Sequence, residues 1–211
     1  MKSDGDFLSE ARRVVSADVE AVRAALDTID EDFLAVARLF AGCEGKVLVT
    51  GSGTSGAVAR RAAHLLSVGG TPAYFLPPGD GLHGGLGSLQ PKDIVMAISK
   101  GGDSKEINEF SRRARTLCGT LVALTAIPES ELGRMADHVV CIRTPAEVDL
   151  GSVVATGSSL AAAAVTDALV ELGRLIRGYS WEQILFTHPS GAVGRDAEKS
   201  LARLGHGGAE K

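Results

Sequence analysis

Aromatic residues make up only 4% of the 211 positions, which leaves few flat surfaces on which an adenine or nicotinamide ring could stack. No uncharged apolar run approaches the ~18 residues that a membrane-crossing helix requires. The opening MKSDGDFLSEARR lacks the apolar centre of a secretory leader. Together these absences predict a cytoplasmic protein with no membrane partner. Basic residues are scattered too: the longest blocks are pairs such as Arg60-Arg61 and Arg112-Arg113, and the net charge is −4. A stripe able to follow a nucleic-acid backbone is therefore missing, and no nucleic-acid partner is expected. Cys43, Cys118 and Cys141 are odd in number and have no C-x-x-C spacing, so they read as small buried side chains rather than a disulfide or metal framework. Histidines 64, 83, 138, 188 and 206 show neither H-x-H nor H-x-x-x-H spacing, so no metal is called for. His64 and His138 fall within a predicted helix and at a predicted strand start, where a structural use is expected.

What is present is an alternation. Phe7, Leu8, Ala11, Val14 and Val15, then Val19, Val22, Leu26 and Ile29, then Phe33, Leu34, Val36, Leu39 and Phe40 recur at helical spacing. Two amphipathic helices are predicted there, broken by the polar stretch between Asp27 and Asp32. Between residues 46 and 142 five apolar runs of strand length follow, KVLVT, PAYFL, DIVMAIS, TLVALT and HVVCI, with helical patterns between them. Such a series predicts an α/β fold with a five-stranded parallel sheet covered on both faces, in the flavodoxin-like order 2-1-3-4-5. An alanine-rich helix is expected from Thr156 to about Arg177, small-faced enough to pack closely on another backbone or subunit. WEQILF follows as a short helical pattern. No linker or internal repeat divides the chain, so residues 1–196 are expected to form one domain and 197–211 a flexible tail.

Two loops concentrate glycine and hydroxyls. GSGTSG (51–56) follows the first strand and SKGGDS (99–104) follows the third. In a 2-1-3-4-5 sheet these strands are neighbours and the chain reverses direction between them, which is where ligands of open α/β sheets bind. Each loop also opens a helix, whose free N–H groups and dipole favour an anion. GSGTSG fits the dinucleotide pattern G-x-G-x-x-G, but PAYFLPPGD ends in prolines where an acid for ribose is wanted. Ser52, Thr54, Ser55, Ser99 and Ser104 offer many neutral donors around a small volume, which suits a phosphate monoester. No nucleotide or other cofactor is expected.

VTGSGTSG, TPAYFLPPGDGLHGGLG, DIVMAISKGGDSKEI, ADHVVCIRTPAEVDLGSVVATGSS and LFTHPSGAVGR, in that order, resemble the sugar isomerase (SIS) domain of arabinose 5-phosphate isomerases. The resemblance covers residues from about 30 to 196. It implies a three-layer sandwich and an aldose to ketose isomerase acting on a phosphosugar. Ser52, Ser55, Ser99 and Ser104 would then hold the phosphate. Asp103 falls where those relatives have a glutamate, and Glu147, His83 and His188 fall on their acid and two histidines. The resemblance further implies a homo-oligomer, dimer or tetramer, whose sites are completed by a neighbouring subunit through His188. Those relatives carry two CBS regulatory domains after this one, and none is expected in this chain.

Two departures stand out. Where the relatives have a lysine within G-x-G-K-S-G this chain has Thr54, and where they have S-N-S-G-E-S it has Lys100 in the second place. A cation has moved between loops, so Lys100 is a candidate positive group near the phosphate or the C1 and C2 oxygens. Isomerisation through an enediol(ate) needs a base for the carbon proton and a donor for oxygen. Glu147 or His188 is the candidate base, with the other of the two, His83 or Lys100 managing oxygen protons. A non-catalytic phosphosugar sensor, and an isomerase of another phosphosugar such as a hexulose 6-phosphate, are the competing readings.

Overall fold

In the computed structural model, which describes residues 3–190, the helices begin where the sequence supplies caps. α1 (Asp4–Ala24) starts behind Ser3, whose hydroxyl accepts from the Asp6 N–H at 3.2 Å while the Asp6 carboxylate accepts from the Ser3 N–H at 2.8 Å. A 3-10 turn at Ala25–Thr28 ends that helix. Asp30 then caps α2 (Glu31–Ala41) by accepting from the Phe33 N–H at 2.9 Å. The polar break between the two helices thus lies where the sequence places it.

Each of the five apolar runs is a strand: β1 (Val47–Gly51), β2 (Ala73–Phe75), β3 (Ile94–Ile98), β4 (Thr120–Thr125) and β5 (His138–Cys141). All pairings are parallel and the order is β2-β1-β3-β4-β5, as expected. The helices between them are α3 (Gly53–Val68), α4 (Pro78–Leu82), α5 (Lys105–Arg115) and α6 (Glu131–Met135), and α7 (Gly157–Arg177) and α8 (Trp181–Phe186) follow. Alternation along the strands divides the core in two. Val47, Val49, Ile94, Met96 and Val122 meet the helices on one face, and Leu48, Val95, Ala97 and Leu121 meet Ile107, Phe110 and Leu132 on the other. Burying a ring such as Phe40 or Phe110 completely contributes roughly 1.5–3 kcal/mol.

The small face of α7 is turned into its own chain. Ala161, Ala162, Val165 and Leu169 are buried in the layer shared with α1, α2 and α3. At its first residue, a Cβ on Gly157 would lie 2.7 Å from the Val148 carbonyl oxygen and 3.0 Å from the Ala21 Cβ. The expected close packing on another backbone is thus made within the chain, where the small residues let α1 approach. It is α1 that leaves apolar side chains outside, with Phe7, Leu8, Val15 and Val19 all more than half exposed. The three cysteines are free and only partly buried. The expected domain end at 196 and the tail over 197–211 lie outside the described residues.

Candidate functional site

The glycines of GSGTSG have a steric cause. A Cβ on Gly51 would lie 2.8 Å from the Ser55 carbonyl oxygen, and one on Gly56 would lie 2.8 Å from the Gly51 carbonyl oxygen. Strand end and helix start therefore touch through backbone, while Gly53 between them has φ +55°. The G-x-G-x-x-G spacing is what this contact requires, whatever the ligand. Ser52 is the N-cap of α3 in extended conformation, and its hydroxyl makes no capping bond. Ser104 caps α5 in the same way, also without a side-chain capping bond. Two helix N-termini with uncapped first turns thus flank the β1/β3 switch point, an arrangement suited to an anion.

The second loop is braced from below. The Lys100 carbonyl accepts from the Ala126 N–H at 2.9 Å and from the Thr125 hydroxyl at 3.0 Å, which ties the loop to the end of β4. Ser99 is buried, and its hydroxyl oxygen accepts from the Gly102 N–H at 3.2 Å. Gly102 itself has φ +69°, and a Cβ there would fall 1.9 Å from the Ser130 hydroxyl oxygen. Its carbonyl accepts from the Asn108 amide at 3.1 Å and the Leu132 N–H at 3.0 Å. Fixed backbone of this kind presents donors that need not reorganise when a ligand arrives.

A small, mostly apolar pocket opens beside these loops. Its floor is apolar, from Val58, Ile98 and Leu124, and its polar groups include Ser55, Lys100, Thr125 and Ser158. Across it runs a chain of contacts absent from the sequence reading. The Lys100 Nζ donates to Asp149 Oδ2 at 2.5 Å. Asp149 is buried and also accepts from the Ser158 N–H at 2.9 Å and the Ser158 hydroxyl at 2.8 Å. Burial alone pushes the Asp149 carboxyl up, but the bonds from Lys100 and Ser158 outweigh it and hold the group below the usual carboxylate range. A second, wider concavity lies on the other side of the first loop, lined by Ser52, Gly53, Arg60, Phe75 and Glu106, with the Arg60 guanidinium 4.6 Å from the Phe75 ring centroid.

The candidate residues are not all brought together. Ser55 and Lys100 line the pocket and Ser52 the neighbouring concavity, while Thr54 is exposed on the first turn of α3. Asp103 turns away: its carboxylate accepts from the Glu131 N–H at 3.0 Å and so supports the start of α6. Glu147 is exposed on a short 3-10 turn (Ala146–Val148), two residues before the buried Asp149. His83 is exposed at the end of α4. His188 is half-buried after α8, and its Nδ1 lies 2.8 Å from the Ile184 carbonyl oxygen. Between Ser158 and Arg174 α7 rises about 24 Å. The Tyr179 N–H bonds the Arg174 carbonyl at 3.0 Å, and the six-residue α8 spans only about 9 Å. Within one chain His188 therefore stays away from the pocket. Asp149 and Ser158 were missed; the available signal was a lone acid between apolar neighbours in VDL, just ahead of a serine-rich helix start. Among the described residues no group of three or more His, Cys, Asp or Glu is placed to hold a metal ion.

Residues 40–172 match the SIS domain. Arabinose 5-phosphate isomerase KdsD of Yersinia pestis is 34% identical over 205 residues, which are 97% of this chain and 62% of that protein. KdsD of Escherichia coli K12 is 32% identical with the same coverage. The chain thus spans less than two thirds of the length of these relatives. Among solved structures, a sugar-phosphate isomerase candidate from Listeria monocytogenes superposes with a TM-score of 0.85 at 30% identity, over 90% of this chain and 100% of that one. An Escherichia coli CFT073 protein in complex with arabinose 5-phosphate does so with a TM-score of 0.84 at 25% identity, over 89% and 100%.

Proposed function

The chain belongs to the SIS domain family, and from that premise we propose that it is a phosphosugar aldose to ketose isomerase of the arabinose 5-phosphate isomerase kind. The observation that carries this reading is the pair of uncapped helix N-termini, at Ser52 and Ser104, flanking the switch point beside a pocket with a held cation. The resemblance to KdsD proteins and to a structure bound to arabinose 5-phosphate supports the choice of sugar.

In this reading the phosphate sits on the N–H groups of α3 and α5 with the hydroxyls of Ser52, Thr54, Ser55, Ser99 and Ser104 around it. The sugar extends into the pocket toward Lys100. A carboxylate or imidazole, Glu147 or His188, moves the proton between C1 and C2, and His83 is available for oxygen protons or ring opening. His188 acts from a neighbouring subunit, because its own chain holds it far from the pocket. The exposed apolar side of α1, from Phe7 and Leu8 through Val15 and Val19, supports a homo-oligomer with shared sites. A cytoplasmic setting accords with three free thiols and with the absence, among the described residues, of a helix long and apolar enough to cross a membrane.

Thr54 is the specific observation behind a second reading, a sensor that binds a phosphosugar without converting it. Purified protein incubated in D₂O with C4 to C7 aldose and ketose phosphates separates the two. Deuterium appearing at C1 or C2 by NMR is the expected outcome. Binding without any carbon-bound exchange would replace the isomerase with the sensor, and exchange only with a hexulose phosphate would keep the chemistry and change the sugar.

A further inference from the structure

The Lys100, Asp149 and Ser158 contacts join three separate segments at one wall of the pocket. Lys100 belongs to the loop after β3, Asp149 to the loop before α7, and Ser158 to the first turn of α7. The Lys100 backbone is fixed by its carbonyl to Ala126 and Thr125, so only the side chain decides where the charge sits. That side chain crosses to Asp149, on the wall of the pocket it shares with Ser55. Asp149 in turn is immobilised, since Oδ1 takes the Ser158 N–H and Oδ2 takes both the Ser158 hydroxyl and the ammonium. The carboxylate side chain is 2% exposed, whereas the lysine side chain is 46% exposed beside the pocket. An ammonium has three donors. One is engaged by Asp149, and the other two have no further partner among the described residues.

We propose that Asp149 is a positioning residue that holds the Lys100 ammonium against the α7 wall, where it hydrogen-bonds the oxygens at the reacting end of the sugar and not the phosphate. The proposal rests on the phosphosugar reading above. Two physical points favour the sugar end. The pair is neutral overall, so its long-range pull on a phosphate dianion is weak, and the uncapped helix ends already supply that function. A donor fixed in a mostly apolar pocket, by contrast, is what an oxygen acquiring charge in an enediolate needs, because no reorganisation accompanies the reaction. Lys100 and Asp149 thereby set which sugar oxygens are accepted, and Asp149 acts only through Lys100.

The test compares wild type, Lys100→Met, Asp149→Asn and the double variant, with thermal melting to verify folding. Initial rates are measured with arabinose 5-phosphate, and binding of arabinose 5-phosphate and of inorganic phosphate is measured by calorimetry. Lys100→Met is expected to lower kcat by about 10²–10³ with KM changed only a few-fold, in the range of a lost oxyanion donor. Inorganic phosphate affinity should stay within about twofold of wild type, since a tenfold change would already mean some 1.4 kcal/mol of lost contact. The double variant should be no slower than Lys100→Met, because residues that act as one unit are not additive. Lys100→Arg, which keeps the pair with Asp149, should recover part of kcat, and Lys100→Gln serves in place of Lys100→Met if that chain does not fold.

A tenfold loss of inorganic phosphate affinity in Lys100→Met would put the ammonium on the phosphate and overturn the proposal. Additive losses in the double variant would overturn it as well, because Asp149 would then act on α7 alone. A wild type that binds arabinose 5-phosphate without turning it over fails the isomerase reading separately. The binding arm then decides: affinity lost for the sugar phosphate but kept for inorganic phosphate supports the positioning, and the reverse overturns it.

Discussion

The Gly51 carbonyl oxygen stands 2.8 Å from the point that a Cβ on Gly56 would occupy. The loop between them is therefore held by a backbone contact that tolerates no side chain at its closing residue. Gly56→Ala should cost about 1–3 kcal/mol by forcing strand and helix apart. It should also weaken phosphate binding, because the N–H groups of α3 move with the helix. Gly53→Ala meets no atom within 4 Å but must keep φ +55°, so a loss of only about 1–2 kcal/mol is expected. Chemical denaturation and phosphate calorimetry on both variants measure this; a larger loss of stability and of phosphate affinity in Gly53→Ala than in Gly56→Ala would contradict the steric account.

Asp93, 1% exposed, should contribute to acid stability. Its carboxylate accepts from the Lys46 N–H at 3.0 Å, the Gln90 N–H at 2.8 Å and the Lys46 ammonium at 2.5 Å. Burial alone pushes this group up, but those bonds hold it below the usual carboxylate range, as happens at Asp149. A depressed folded value means that the unfolded chain binds more protons, so stability falls as pH falls. The contribution is complete above the ordinary carboxylate value of about 4 and is lost as pH drops through the lower folded values. Asp93→Ala should cost roughly 3 kcal/mol at pH 7 and flatten the acid limb of a stability profile. Asp93 precedes β3, at the opposite end of that strand from Ser99, so ligand binding should be unaffected.

Asp103 and Ser55 should behave oppositely. Asp103 supports the start of α6, and its replacement by alanine should lower stability by about 1 kcal/mol, as for a lost helix cap, with turnover within a few-fold of wild type. Ser55→Ala should leave stability nearly intact and weaken phosphosugar binding by about tenfold, the order of one hydrogen bond to a charged group. A hundredfold loss of turnover in Asp103→Ala would return it to the catalytic set.

Glu147→Gln and His188→Ala should each lower turnover by about 10²–10⁴ while phosphate binding persists. Mixing His188→Ala chains with Ser104→Ala chains should restore part of the activity, since one site then gains both residues from different subunits. Light scattering should give a dimer or tetramer. A stable 21.8 kDa monomer at assay concentration would sink the shared site.

Sheet order and the two loops were legible in the sequence because both rest on short-range rules. Five apolar runs alternating with helical patterns leave few topologies, and glycine with hydroxyls after the first and third runs marks the switch point. Asp27 to Asp32 marked the helix break for the same local reason, Asp30 being a cap. Tertiary structure alone decided which side chains meet. Asp103 sits beside the ligand loops in sequence yet turns to the Glu131 N–H, because α6 packs on α5. Lys100 and Asp149 are 49 positions apart and meet only because the chain before α7 returns to the carboxyl end of β3. His188 is distant from the pocket because α7 carries the chain about 24 Å away before α8 begins. Local composition fixes where loops and elements fall. Which partner a charged side chain finds depends on long-range packing, because a buried carboxylate such as Asp149 would be far too costly without the bonds from Lys100 and Ser158.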